Sequence, residues 1–205
     1  DPASDVPTRA QRGALGVGNG HVFAQIGVGE PSLATIHEAN GPGYEKKSFF
    51  FSDVLTFVSV AGQDWKPTME WQWRVRGTAV NVTLLRGAEL DVILVDIAPW
   101  LRVSWWDDAQ PEERALVRLV AVHATGSTPQ NAIEIRQYTY GMWIADAGGV
   151  LRQSREALRA RLVAPRDALL STPNGKNIRV ALGDLAPGQE ARTTFAVVMS
   201  TSDAD

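Results

Sequence analysis

No cysteine occurs in the 205 residues, which excludes disulfide staples, thiolate zinc sites and thiol nucleophiles and leaves the redox compartment open. Histidine is nearly as scarce. His21, His37 and His123 are the only three, no two stand at ligand spacing, and neither a metal nor a cofactor is expected. Charge of one sign is also missing: 20 basic residues face 23 acidic ones, for a net charge of −3 without long runs of either kind. Neither nucleic acid nor a membrane surface is therefore an expected partner. No apolar run approaches the roughly 20 residues that a helix needs to cross a bilayer. The chain opens on Asp1 rather than methionine and reads as a mature form or an excised piece.

What remains is a core-forming chain, 44% hydrophobic, whose periodicity is that of strands. "DVLTFVSVAG", from Asp53, alternates β-branched and aromatic residues as a mostly buried strand does. In "TMEWQWRVRG", Met69, Trp71, Trp73 and Val75 share one face and Glu70, Gln72, Arg74 and Arg76 the other, which places Trp71 and Trp73 in the core. The same pattern runs through "TAVNVTLLRG", "ELDVILVDIAP", "LRVSWWDD", "RALVRLVAVHATG", "NAIEIRQYTYG", "NIRVALGDL" and "ARTTFAVVMST". Gly- and Pro-marked turns separate these segments. About a dozen strands at such spacing predict an all-β, antiparallel two-sheet sandwich. A single domain over 13–201 is expected, with loose ends at 1–12 and 202–205.

Two segments compete with that assignment. "VLRQSREALRARLVAPRD", from Val150, is rich in helix formers, yet Leu158, Ala160 and Leu162 alternate with Arg159 and Arg161, and a hairpin is preferred, with "APRD" turning into "ALLST". "GVGNGHVFAQIG", residues 16–27, has the glycine spacing of a phosphate loop. Such a loop needs a helix immediately after it, whose amino terminus supplies aligned amides. The residues after Gly20 instead alternate Val22, Ala24 and Ile26 with Phe23 and Gln25 and form a strand. Asn19-Gly20 is accordingly a hairpin turn.

The "GNG" turn leading into "HVFAQIG", then "LATIHEANGPGY" and "FSDV", resembles the entry of the amino-terminal β domain of glycoside hydrolases and phosphorylases built on a helical toroid. "RALVRLVAVHATGSTPQNAIEIRQYTY" and the closing "LGDLAPGQEARTTFAVVMS" are similar to later parts of the same domain. Glucoamylase-like, maltose-phosphorylase-like and cellobiose-phosphorylase-like enzymes share that architecture. The resemblance implies a large supersandwich of the galactose mutarotase kind. It also implies that the catalytic carboxylates belong to a downstream helical domain of the same polypeptide, and that the protein acts outside the cytoplasm, in the extracellular space or periplasm.

The expected function is accordingly that of a non-catalytic domain of a carbohydrate-active enzyme. It would support the helical partner and contact carbohydrate. The alternatives are an independent carbohydrate-binding module and a mutarotase-like aldose epimerase. Sugar rings stack their apolar faces on aromatic side chains while neighbouring polar groups pair with hydroxyls. Trp106 with Asp107, and Tyr138 with Tyr140 beside Glu134 and Arg136, are the exposed aromatic candidates. His37 with Glu38 is the candidate acid–base or sugar-contacting pair. His123, inside an apolar alternation, reads as a core histidine. In "ANGPGYEKKSFFFSD", Phe49, Phe50 and Phe51 cannot all face a core if the segment is extended, and Tyr44, Phe49 and Phe50 are the candidate contacts to the helical domain. Asn81-Val82-Thr83 matches a glycosylation acceptor by chance, inside a strand.

Overall fold

The computed structural model describes residues 15–18, 22–26, 32–38, 50–51, 54–99, 114–139, 144–146, 150–155, 158–171 and 177–200. In chain order the strands begin with β1 (Leu15–Gly18), β2 (Val22–Ile26), β3 (Ser32–Glu38), β4 (Phe50–Phe51), β5 (Val54–Val60) and β6 (Gln63–Asp64). Next come β7 (Met69–Arg74), β8 (Asn81–Arg86), β9 (Leu90–Ile97), β10 (Ala115–Ala124) and β11 (Gln130–Thr139). The chain closes with β12 (Ile144–Asp146), β13 (Val150–Arg155), β14 (Leu158–Val163), β15 (Leu169–Ser171), β16 (Asn177–Leu185) and β17 (Glu190–Ser200). Among the described residues there is no α-helix.

These strands form two antiparallel sheets. The nine-stranded sheet runs β1-β2-β3-β5-β11-β16-β15, with β4 on β3 and β6 on β5. The eight-stranded sheet runs β12-β13-β14-β17-β10-β9-β8-β7. The expected all-β antiparallel sandwich is the observed fold, and the core lies between the sheets. Val54, Val58, Ile133, Ile135, Ile178 and Val180 face it from one side, and Leu94, Val92, Leu116, Val120, Phe195 and Val197 from the other. The expected termini, 1–12 and 202–205, lie outside the described residues.

A polar chain crosses this interior. Arg118 and Asp96 form a bidentate pair, Nε to Oδ1 at 2.6 Å and Nη2 to Oδ2 at 2.9 Å, with both side chains 1% exposed. Arg118 Nη1 donates to Thr56 Oγ1 at 2.8 Å, and that hydroxyl donates to Gln137 Oε1 at 2.9 Å. The two sheets are thus joined by charge-assisted hydrogen bonds as well as by apolar contact. A second tie lies at the sheet edges, where the Gly16 carbonyl accepts from Asn81 Nδ2 at 2.8 Å and also from Arg74 Nη2. Asn81 is 1% exposed, so the glycosylation triplet is a structural asparagine.

The glycine motif is structural too. β1 and β2 pair antiparallel with Gly18 opposite Phe23 and Gly16 opposite Gln25, while the Asn19-Gly20 turn itself lies outside the described residues. A Cβ on Gly16 would lie 2.6 Å from Phe23 Cε2, and one on Gly18 would lie 2.7 Å from the Val22 carbonyl oxygen. The glycines leave room for an aromatic ring laid across the neighbouring strand. The strand reading after Val150 holds, with β13 paired on β14. "APRD" does not close a hairpin with "ALLST", however: β14 pairs with β17 in one sheet and β15 with β16 in the other, so this turn carries the chain across the sandwich.

Two further expectations are corrected. On β7 it is Gln72 that is buried, 8% exposed, while Trp71 and Trp73 are half-buried on the outer face. β7 is the edge strand of its sheet. Among the described residues its indoles stand in register with Leu84 and Val82 on the same face, and the Arg86 guanidinium lies 5.6 Å from the Trp71 ring centroid. His123 is likewise half-buried and stands on the outer row between Asp91 and Glu190, not in the core.

Candidate functional site: an aromatic and arginine platform

The turn Ala61-Gly62, with φ of 49° and 76°, folds β6 back on β5 so that Asp64 stands opposite Ser59. Positive φ at both central residues is the signature of a type I′ hairpin turn, whose twist suits the flanking strands. On the outer face of this sheet Arg136 is in register with Phe57 on one side and with Arg179 on the other. Its guanidinium reaches over the Phe57 ring, 5.1 Å from the centroid, to place Nη2 3.0 Å from Asp64 Oδ1. Tyr138, one row along, meets Phe57 edge-to-face at 6.5 Å and 74°. Arg179 Nη1 lies 3.6 Å from Glu134 Oε2.

The result is two rings and two guanidiniums on one exposed face, each guanidinium balanced by a carboxylate. Such a platform offers an apolar surface flanked by donors and acceptors without net charge. A polyhydroxylated ring has the matching combination of C–H face and hydroxyl edge. Among the described residues no three His, Asp or Glu side chains converge as a metal set.

Of the residues singled out from sequence, Tyr138 is on this platform, and Glu134 and Arg136 share its face. Sequence reasoning missed Phe57, Asp64 and Arg179. The partnership of Tyr138 with Phe57 is set by the β5–β11 register, which no local pattern displays. His37 and Glu38 belong to β3, where their backbones are in register with Phe23 and Val22, and His37 also with Phe50 of β4. They are not in the Tyr138 row, because β3 meets β5 only at Ser32 and Leu33. Trp106, Asp107, Tyr140, Tyr44 and Phe49 lie outside the described residues.

The opposite outer face is different in kind. On the eight-stranded sheet Ile93, Leu119 and Met69 are 37%, 39% and 45% exposed. They join Trp71, Trp73 and Leu84 in an apolar surface bounded by the Arg86–Asp91 pair, whose closest approach is 2.9 Å. Asp91's hydrogen bond, and then its charge, hold the Arg86 guanidinium above its ordinary range.

No family model matches the chain, and no curated protein matches it. Among solved structures, one described as "Putative kojibiose phosphorylase from human microbiome" superposes with a TM-score of 0.55 over 93% of this chain, at 7% identity. The chain spans 30% of the length of that structure's chain. At that identity the likeness is one of fold, to a part of a longer chain.

Proposed function

We propose that this chain is a non-catalytic β-sandwich domain of a carbohydrate-active enzyme, supporting an adjoining helical catalytic domain and contacting carbohydrate through the Tyr138 platform. The observation that carries the reading is the fold correspondence over 93% of the chain with a part of a protein described as a glycoside phosphorylase. The division of outer faces supports it. The apolar face of the eight-stranded sheet, with Ile93 and Leu119 at its centre, suits a large partner that removes it from water. The platform of the nine-stranded sheet suits a hydroxylated ligand. A location in the extracellular space or periplasm goes with this reading.

The test is turnover. Phosphorolysis and hydrolysis of α- and β-linked glucobioses are measured for this chain alone and for the chain joined to the polypeptide downstream of it. The expected result is activity only in the joined protein, reduced by Leu119→Lys or Ile93→Lys. Turnover by the chain alone would overturn the reading, and mutarotation of a free aldose by the chain alone, followed by polarimetry and lost on replacing His37, would establish the epimerase alternative. Saturable sugar binding by a chain to which no helical partner is ever joined would favour an independent binding module, because the platform is complete within these strands.

A further inference from the structure

A second recess lies beside the platform, at the open side of the sandwich. β3 pairs with β5 only at its start, and the segment after β6 crosses from the nine-stranded sheet to the edge strand β7. Between that segment, β5 and Leu85 of β8 is a cavity of about 420 Å³, within the range of about 300–1,000 Å³ typical of small-molecule sites. Its lining divides by chemistry. Leu55, Val58 and Leu85 contribute apolar surface, Trp65 and Phe57 contribute rings, and Lys66 and Glu70 contribute charge of both signs.

The aromatic wall is held in place. Trp65 N donates to the Val58 carbonyl at 2.9 Å. Its indole passes over Gly87, where a Cβ would lie 2.8 Å from Cζ2, so the ring position depends on the missing side chain. The rim is fastened at Thr68, whose amide and hydroxyl both donate to the Arg86 carbonyl, at 2.8 and 3.1 Å. Glu70 is oriented as well, its Oε1 accepting from Gln72 Nε2 at 2.9 Å.

We propose that this cavity, adjoining the platform, is a binding site for a single sugar ring or a disaccharide. The indole of Trp65 stacks on the ring's C–H face, and the Glu70 carboxylate and Lys66 ammonium pair with its hydroxyls. A purely apolar ligand would strip water from Lys66 and Glu70 without replacing its hydrogen bonds, which is costly. A hydroxylated ring satisfies both kinds of wall. This assignment rests on the carbohydrate reading above and adds to it a site that shares Phe57 and Asp64 with the Tyr138 platform and is otherwise built from Trp65, Lys66 and Glu70, which the sequence candidates do not include.

The experiment is a titration of the purified chain with D-glucose and with α- and β-linked glucobioses, monitored by the indole N–H resonances, with Trp65→Phe identifying its own signal. The expected result is a saturable shift of the Trp65 resonance. Glu70→Gln and Lys66→Met should each weaken binding about tenfold, the usual effect of losing one charged hydrogen bond. Arg192→Ala, at an exposed and remote position, should leave it unchanged. Urea midpoints equal to that of the parent establish that Glu70→Gln and Lys66→Met remain folded. Absence of any saturable shift with these sugars would overturn the site. So would binding that is weakened by Tyr138→Ala and indifferent to Glu70→Gln and Lys66→Met, and in that case the carbohydrate reading would stand while the cavity assignment fell.

Discussion

β10 and β11 are both ten-residue strands at the centre of their sheets, and both alternate without interruption over most of their length, yet they use the alternation in opposite ways. On β11 the inner positions are Ile133 and Ile135 followed by Gln137 and Thr139, and the outer ones are Glu134, Arg136 and Tyr138. On β10 the inner positions include the fully buried Arg118, and the outer ones include Leu119 at 39% exposure. One strand presents polar chemistry to solvent; the other presents apolar surface there and takes a charge inside. The difference shows that period two assigns residues to faces but does not say which face is the core. Burial is decided by what the second sheet offers, and Asp96 and Thr56 offer Arg118 enough.

The sharpest way to break this comparison is a pair of neighbouring substitutions. Val120→Lys puts an unpaired ammonium between the sheets and should cost more than about 4 kcal/mol, so that the chain no longer unfolds as a cooperative unit. Leu119→Lys, one residue away, should cost less than about 1 kcal/mol. Urea denaturation monitored by circular dichroism reads both. Similar losses at the two positions would mean that the outer face of the eight-stranded sheet is not the surface described.

Next in size is the buried pair. Arg118→Ala or Asp96→Ala leaves one charge in the interior without its partner and should cost about 3–5 kcal/mol. The double replacement Arg118→Met with Asp96→Leu should recover most of that loss, since two apolar side chains of similar volume need no compensation. A double variant as unstable as the singles would show that Thr56 and Gln137 depend on the guanidinium for their own hydrogen bonds.

The same contrast explains what the sequence revealed. The strand positions of β5, β9, β10, β11, β16 and β17 follow from alternation and from the turns between them, because those signals are local. The inner face of β7 was misread, since seven tryptophans invite core assignments and an edge strand has no neighbour on one side to enforce burial. The turn at "APRD" was legible as a turn and illegible as a crossing between sheets, because strand order is set by long-range pairing. At the platform Tyr138 was legible as an outward aromatic. Phe57, Asp64 and Arg179 were not, because their proximity arises from the registers of β6 on β5 and of β11 with β5 and β16.

A smaller effect tests the opening glycines. Gly16→Ala should force the Phe23 ring off the neighbouring strand and cost about 1 kcal/mol, while in a Phe23→Ala background the same change should cost almost nothing. Equal costs in both backgrounds would mean that Gly16 is required for the backbone hydrogen bonds from Asn81 and Arg74 and not for the ring.

The smallest effect separates the role of the platform from that of the core. Arg136→Lys keeps the charge but loses the planar group that lies over Phe57 and reaches Asp64. At this exposure, with the side chain 33% accessible, the ion pair and ring contact together should contribute about 0.5 kcal/mol to stability. If the outer face of the nine-stranded sheet is there for ligand contact, the substitution should change sugar affinity by a larger factor than it changes the folding equilibrium. Parallel titration and denaturation of the variant give the two numbers. An Arg136→Lys chain that loses stability and leaves sugar affinity untouched would make the platform a structural cross-strand cluster, and the contrast between the two outer faces would then concern folding alone.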